Sequence, residues 1–148
     1  TLGRTGLGDA IRAAYAQGTP ILGICLGAQI ILEHSEENDT PCLGLLPGRT
    51  RSLPYRSGLK IPHMGWNSVS VRRRPPALAD VPDGSHFYFV HSFHVVPADK
   101  NVIATTTDYG GEFVSSIWKD NIFATQFHPE KSQTLGLSIL KRFGELKS

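Results

Sequence analysis

Apolar positions recur at helical spacing over 9–17, where Ala10, Ile11, Ala14 and Tyr15 share a side and Gly18 closes the segment. The next run, 19–24, is apolar without alternation, the pattern of a strand buried on both faces. It turns sharply at Gly23-Ile24-Cys25-Leu26-Gly27, and an apolar helical segment over 28–33 follows at once. Strand, turn and helix in this order make half of a βαβ unit and predict an α/β fold with parallel central strands. Residues 35–41 are acidic and polar, hence a loop; 44–48 and 54–58 read as turns around a strand at 49–53. The stretch 60–67 has no clear period, whereas 68–72 alternates like a strand with one wet face. After a Pro-rich loop over 75–84, with one helical turn at 77–79, an aromatic strand spans 86–91 and ends at His91-Ser92-Phe93. Strands over 102–107, 113–119 and 121–127, separated by Tyr109-Gly110-Gly111 and Asp120-Asn121, predict an antiparallel meander. The final segment, 134–146, carries Leu137, Leu140 and Phe143 at helical spacing and should pack that stripe on the sheet.

A chain of 148 residues is one domain's worth and can bury a real core. A formal net charge of +2 gives no ground for a nucleic-acid or membrane partner. The basic run Arg72-Arg73-Arg74, closed by Pro75-Pro76, reads as a solvated turn. No apolar stretch is long enough to span a bilayer, and no signal-peptide pattern is visible. Two cysteines, Cys25 and Cys42, imply no disulfide framework and fit a reducing, cytoplasmic compartment. Cys42 sits in a Pro-flanked loop and carries no motif. No Cys/His cluster has metal-ligand spacing, so neither metal nor other cofactor is expected. The Gly3-x-x-Gly6-x-Gly8 run has no strand ahead of it and is a poor phosphate loop.

Two stretches carry candidate chemistry. A cysteine at a strand-to-helix turn between glycines has the logic of a nucleophile elbow, because small residues let the backbone turn tightly and project the side chain. The helix start behind it favours thiolate over thiol. A buried structural cysteine is the plain alternative. At the far end, Gln126-Phe-His128-Pro-Glu130-Lys131-Ser132 closes a strand with a histidine, and a carboxylate follows two residues later. A thiolate nucleophile needs a base, and the base needs a group to orient it. His128 and Glu130 can supply both; a solvated loop is the plain alternative. His91 and His94 are other candidate bases, but neither has a carboxylate two residues on.

Taken together, Gly23-Ile-Cys25-Leu-Gly-Ala-Gln29 and Gln126-Phe-His128-Pro-Glu130 resemble the class I, triad-type glutamine amidotransferases. Lys60-Ile-Pro62-His-Met-Gly-Trp66-Asn67 and Tyr88-Phe-Val-His91-Ser narrow the resemblance to the glutaminase subunits of imidazole glycerol phosphate synthase. It covers nearly the whole chain. It implies an α/β fold, flavodoxin-like or α/β-hydrolase-like, with a mixed sheet and flanking helices, forming one partial amidotransferase domain over 1–148. It implies a Cys25–His128–Glu130 triad that hydrolyses L-glutamine and passes ammonia to a cyclase subunit in a heterodimer of histidine biosynthesis. Leu26, just after the nucleophile, would donate its N–H to the oxyanion. Gly27, Gln29 and Glu37 would line the substrate site, with Glu36 an equal chemical candidate for the last. Backbone groups of Ser92 and Phe93 would hold the amino-acid end of glutamine. Trp66, Asn67, Tyr88 and Lys131 match positions near the ammonia exit and synthase contact, with His63 and Met64 supporting that surface.

The same resemblance implies further strands and helices ahead of the elbow, and a Pro-Gly-x-Gly loop that supplies a second oxyanion donor. Here Thr1–Gly18 matches only the last helix of that region, and Gly3–Gly6 echoes the loop without its Pro. The expectation is that an N-terminal part of the sheet is missing from this sequence. The elbow strand would then have an open apolar neighbourhood, with only the Leu26 donor and low activity. Two other functions fit the same residues: a glutaminase serving a different synthase, such as a sugar amidotransferase of surface polysaccharide assembly, or a binding module that kept the fold and lost the chemistry.

Overall fold

In the computed structural model, which describes residues 7–36, 40–53, 62–109 and 111–146, helix α1 (Leu7–Ala16) leads into strand β1 (Ile21–Ile24). The elbow at Cys25 opens helix α2 (Leu26–Ile30), shorter than the sequence suggests, because the chain turns away at Ile31 into β2 (His34–Ser35). Strands β3 (Thr40–Pro41) and β4 (Gly48–Ser52) follow, then β5 (His63–Ser68) and β6 (Ser70–Val71). After a 3-10 turn at Pro76–Leu78 come β7 (His86–His91), β8 (Phe93–Pro97), β9 (Ile103–Asp108), β10 (Glu112–Lys119) and β11 (Ile122–Thr125). A second 3-10 turn, Pro129–Lys131, leads into helix α3 (Gln133–Gly144). The loop expected over 35–41 is short strand at both described ends, and the 54–58 turn lies outside the described residues.

The main sheet runs β1-β11-β10-β8-β4-β2-β3, with β9 and β6 extending from β10. Among the described residues only β1·β11 and β2·β4 pair in parallel; the other ladders are antiparallel, so the sheet is mixed rather than parallel at its centre. The predicted meander is present as β9–β10–β11. Strand β8 is one element that sequence pattern does not reveal: the chain does not end its strand at Phe93 but re-enters the sheet there and joins β10 to β4. A separate pair, β5 and β7, sets Trp66 opposite Tyr88 and His63 opposite His91.

Side-chain alternation explains why helices cover both faces. Along β11, Ile122 and Ala124 enter a cluster with Ala28, Ile31, Leu32 and Ile117 on the α2 side. Phe123 faces the opposite cluster, with Phe87, Phe89, Phe127, Leu78 and Ile139 on the α3 side. Both clusters are closed to water, so β11 is buried throughout, as its lack of polar alternation requires. β1 is less so: only Gly23 is fully buried, short of a strand covered on both sides but in line with the open apolar neighbourhood expected of the elbow strand. α3 also turns differently from its predicted stripe. Leu135, Ile139 and Phe143 face the core, whereas Leu137 is 59% exposed.

The three arginines at 72–74 are exposed, as a solvated turn requires, but they are also tethered. Arg72 pairs with Glu112 at 2.6 Å, Arg73 lies over the Trp118 ring at 4.6 Å, and Arg74 donates to the Leu78 and Val81 carbonyls. They fasten the Pro-rich loop to the sheet, each through geometry that suits a planar guanidinium.

Candidate active site

Parallel pairing of β1 with β11 brings the two chemically marked stretches to one end of the sheet. Ile24 lies opposite Thr125, and the Cys25 N–H donates to the Thr125 carbonyl at 2.7 Å. The chain then breaks sharply: Cys25 adopts φ 52°, ψ −99°, a backbone region that non-glycine residues rarely occupy. Gly23 makes the turn possible. A Cβ there would lie 2.9 Å from the Gly27 carbonyl carbon, so strand and helix start touch backbone to backbone. Gly27 has open space where a Cβ would stand, leaving room beside the elbow. Leu26 and Gly27 occupy the first helical positions, whose N–H groups have no intrahelical acceptor.

The edge of β7 that does not pair with β5 receives both ends of the site. The Cys25 thiol lies 3.5 Å from the Val90 carbonyl, and the His128 N–H donates to the Tyr88 carbonyl at 2.9 Å. The Tyr88 N–H donates to Ser132 Oγ at 3.0 Å, and the Ser132 hydroxyl donates to the His128 carbonyl at 2.5 Å. His128 is thus held by its own backbone and by the residue that follows its 3-10 turn. Its Nδ1 meets Glu130 Oε2 at 2.9 Å, with the ring mostly buried and the carboxylate partly exposed. Pro129 begins that turn, and its fixed φ sets the spacing that lets a carboxylate two residues on reach back to the ring. Lys131, beside it, is exposed.

Gln29 is buried on α2, where its amide Nε2 donates to the Phe93 carbonyl at 3.2 Å and to Gln126 Oε1 at 3.3 Å. Gln126 in turn points its own Nε2 at the Cys25 sulfur, 3.5 Å away. Gln126 had no role assigned from sequence, although its place two residues before His128 marked it. Ser92 and Phe93 form the corner at which the chain leaves β7 for β8, and the Ser92 carbonyl accepts from the Leu53 N–H. Glu37 lies outside the described residues. Its rival Glu36 is engaged with Arg51 at 3.0 Å and with Ser52. His94, the other spare base candidate, is half-buried, its buried Nδ1 has no partner among the described residues, and burial lowers its pKa. Among the described residues no Cys, His, Asp and Glu group could hold a metal, and no helix is long and apolar enough to cross a membrane.

Trp66 is 49% exposed and Met64 62% exposed, side by side on β5 with Tyr88 edge-on to the indole at 6.0 Å. An open groove of about 310 Å³ runs between Trp66, His86 and the start of α3, from Ser132 to Leu135. His63 does not share this surface. It is 3% exposed and stacks between Phe89 and Tyr109, with ring centroids 4.9 and 3.9 Å away.

Burial lowers the pKa of both His63 and His91 from an ordinary 6.5 to about 4. The unfolded chain takes up these protons near pH 6.5, while the folded one resists until about 4. Their contribution is therefore complete above pH 6.5 and is lost as pH falls through that window, by on the order of a few kcal/mol for the hydrogen-bonded pair together. Urea midpoints measured from pH 7.5 to 4.5 should fall accordingly, and less steeply in His91→Asn, which removes one titrating ring. Parallel slopes for the two proteins would show that His91 is not the acid-sensitive group.

Residues 3–145 match the family described as Glutamine amidotransferase class-I. The imidazole glycerol phosphate synthase subunit HisH of Geobacter sulfurreducens is 53% identical over 148 residues, covering 96% of this chain and 71% of the relative. The HisH subunit of Moorella thermoacetica is 49% identical over 146 residues, covering 98% and 69%. Among solved structures, a glutamine amidotransferase superposes with a TM-score of 0.68 at 17% identity, over 97% of this chain and 71% of that one. A glutamine amidotransferase from Thermotoga maritima superposes with a TM-score of 0.66 at 16% identity, over 95% and 54%. These structural likenesses speak for the fold alone, while the match over residues 3–145 and the HisH identities speak for descent: the chain belongs to the class I glutamine amidotransferases, in the HisH family.

Proposed function

We propose that this chain is the glutaminase subunit of an imidazole glycerol phosphate synthase, with Cys25, His128 and Glu130 as its triad. The observation that carries the reading is the Cys25 elbow, strained at φ 52°, on the same β7 edge as a histidine whose Nδ1 is held by Glu130. With Nδ1–H donated to the carboxylate, Nε2 is the nitrogen left to carry protons. Cys25 Sγ gives its proton to that nitrogen and attacks the side-chain amide carbon of L-glutamine. The tetrahedral oxyanion forms over the elbow, where the Leu26 N–H, at the first helical position, donates to it. The C–N bond breaks, ammonia leaves with the proton from Nε2, and a glutamyl thioester remains. Water then attacks the thioester carbonyl, passes a proton to Nε2 and releases glutamate and the Cys25 thiol. Glu130 orients the ring and stabilises its imidazolium in both halves. Gly27 leaves room for the substrate, Gln29 braces the Phe93 carbonyl, and Ser92 and Phe93 receive the amino-acid end, as does the acidic side chain of Glu37.

Ammonia escapes to water unless a partner receives it. Trp66, Asn67, Tyr88 and Lys131 are proposed as the face that docks the cyclase partner at the ammonia exit; the exposed Trp66–Met64 pair beside an open groove supports it. The test is glutamate release from glutamine, with and without the cyclase, alongside glutamine-dependent turnover of the cyclase reaction. Hydrolysis without coupled turnover would point to another synthase. No hydrolysis in either setting would reduce the chain to a binding module.

The docking face gives a separate expectation. Trp66→Ala should weaken cyclase binding by about 2 kcal/mol, roughly thirtyfold, because half-exposed aromatic anchors dominate such contacts. A calorimetric titration reads this directly. Unchanged affinity together with a lowered melting temperature would make Trp66 a packing residue for Tyr88.

A further inference from the structure

Two buried histidines take no part in the chemistry assigned above, yet every nitrogen of both rings is engaged. His63 Nδ1 lies 3.0 Å from His91 Nε2, across the β5–β7 ladder. His63 Nε2 lies 3.3 Å from Asn67 Nδ2. His91 Nδ1 lies 2.9 Å from the Phe93 carbonyl. The direction of this chain can be read from either end. At the outer end, the Ser68 N–H donates to Asn67 Oδ1 at 2.8 Å, and the Asp108 carbonyl accepts from Nδ2 at 2.9 Å. The Asn67 amide is thereby fixed with a donor toward His63, whose Nε2 must accept. His63 then carries its proton on Nδ1 and donates to His91 Nε2, and His91 carries its proton on Nδ1. At the inner end the Phe93 carbonyl can only accept, which requires the same proton on His91 Nδ1. Both ends demand the same tautomers.

The inner end is where function enters. Phe93 is the first residue of β8, and Ser92 is the single residue between the β5–β7 pair and the main sheet. The Phe93 carbonyl accepts from His91 on one side and from Gln29 of the elbow helix on the other. Gln29 also donates to Gln126, whose amide reaches the Cys25 sulfur. An unbroken series of hydrogen bonds therefore runs from Asn67, beside the exposed Trp66, to the nucleophile. The stacking of His63 between Phe89 and Tyr109 holds its ring plane, and so the aim of both nitrogens.

We propose that Asn67, His63 and His91 are positioning residues for glutamine: their directed hydrogen-bond chain fixes the Phe93 carbonyl, and with it the Ser92–Phe93 corner that receives the amino-acid end of the substrate. This rests on the glutaminase reading given above. The role is distinct from packing, because packing asks only for a ring of the right size. Losing one of two donors to a part-buried carbonyl loosens the corner, and that loss falls on substrate binding more than on the chemical step.

His91→Phe keeps a ring and removes the donor. In complex with the cyclase subunit, it should raise KM for glutamine about tenfold or more, with a smaller change in kcat. His91→Asn is smaller but places an amide N–H near the old Nδ1, and should recover most of that loss. A packing role predicts the reverse order, with His91→Asn the worse variant, and that order overturns the proposal. So does a wild-type KM in His91→Phe. Nitrogen-15 NMR of the histidine rings in the wild-type protein at pH 7 provides a readout independent of activity. Both His63 and His91 should show the neutral Nδ1–H tautomer; an Nε2–H tautomer in either breaks the relay. A wild-type complex that does not hydrolyse glutamine at all defeats the glutaminase reading itself, whereas an active wild type with an unaffected His91→Phe defeats only the positioning role.

Discussion

Cys25→Ala is expected to abolish glutamine hydrolysis, by about four orders of magnitude or more, while the protein stays folded. The residue sits at an elbow whose shape is set by Gly23 packed on the Gly27 backbone, not by the thiol, so the sulfur's removal leaves the turn intact. The strain at φ 52° adds a sharper expectation. Ala keeps that strain, whereas Gly releases it at some cost in backbone entropy. Cys25→Gly should therefore be equally inactive yet about 1 kcal/mol more stable than Cys25→Ala. Matched urea titrations and single-turnover assays of the two variants decide the matter. Turnover near the wild-type rate in Cys25→Ala would remove the thiol from the chemistry. Equal stability of the two variants would mean that the elbow relaxes without its thiol. The same change at Cys42, in the loop after β3, should alter neither activity nor stability by much.

The largest structural effect is expected at Gly136. It is buried one turn into α3, and a Cβ there would lie 1.9 Å from the Pro129 carbonyl oxygen and 2.8 Å from its carbon. Neither atom can move cheaply, since that carbonyl accepts from Ser132 N–H and lies one residue from both His128 and Glu130. Gly136→Ala must push α3 off the turn that holds the histidine. A loss of about 3 kcal/mol is expected, or a drop of roughly 10 °C in melting temperature, with kcat falling as well because the His128–Glu130 contact is displaced. Gly144, in the same helix, has nothing within 4 Å of its would-be Cβ. Gly144→Ala should be neutral or slightly stabilising, as helix propensity alone dictates. Scanning calorimetry of the two variants separates a steric cause from a general intolerance of alanine in α3; equal effects would contradict the close approach.

The elbow and the His128–Glu130 pair were legible because their signals are local. Small residues at a strand-to-helix turn, and a Pro-locked step of two between imidazole and carboxylate, are readable without knowing what lies across the sheet. Strand β7 was legible too, since an unbroken aromatic run has few other uses. What escaped was whatever depends on partners distant in sequence. β8 was missed because Phe93-His94-Val95-Val96-Pro97 continues straight from β7, and only a change of sheet at Ser92 divides them. β5 was missed because Pro, Gly and Asn obscure its alternation, and pairing with β7 overrides their weak propensity. His63 was expected at the surface because the resemblance gives its whole segment an interface role, but strand alternation turns it inward where Met64 and Trp66 are more open. The same long-range logic hid the tethering of the three arginines and the outward turn of Leu137.

The pairing of β1 with β11 has a consequence in time. Cys25 and Gln126, in contact in the folded protein, are separated by 101 residues along the chain. Contacts of that span must overcome the entropy of closing a long loop before any packing rewards them, which makes them late events in folding. During synthesis, the hydrogen bond that anchors the Cys25 backbone has no acceptor until Thr125 has been made, and the histidine follows three residues later. Until then Cys25 lacks both of these neighbours. The arrival of β11 is therefore what brings Cys25, Gln126 and His128 to one end of the sheet.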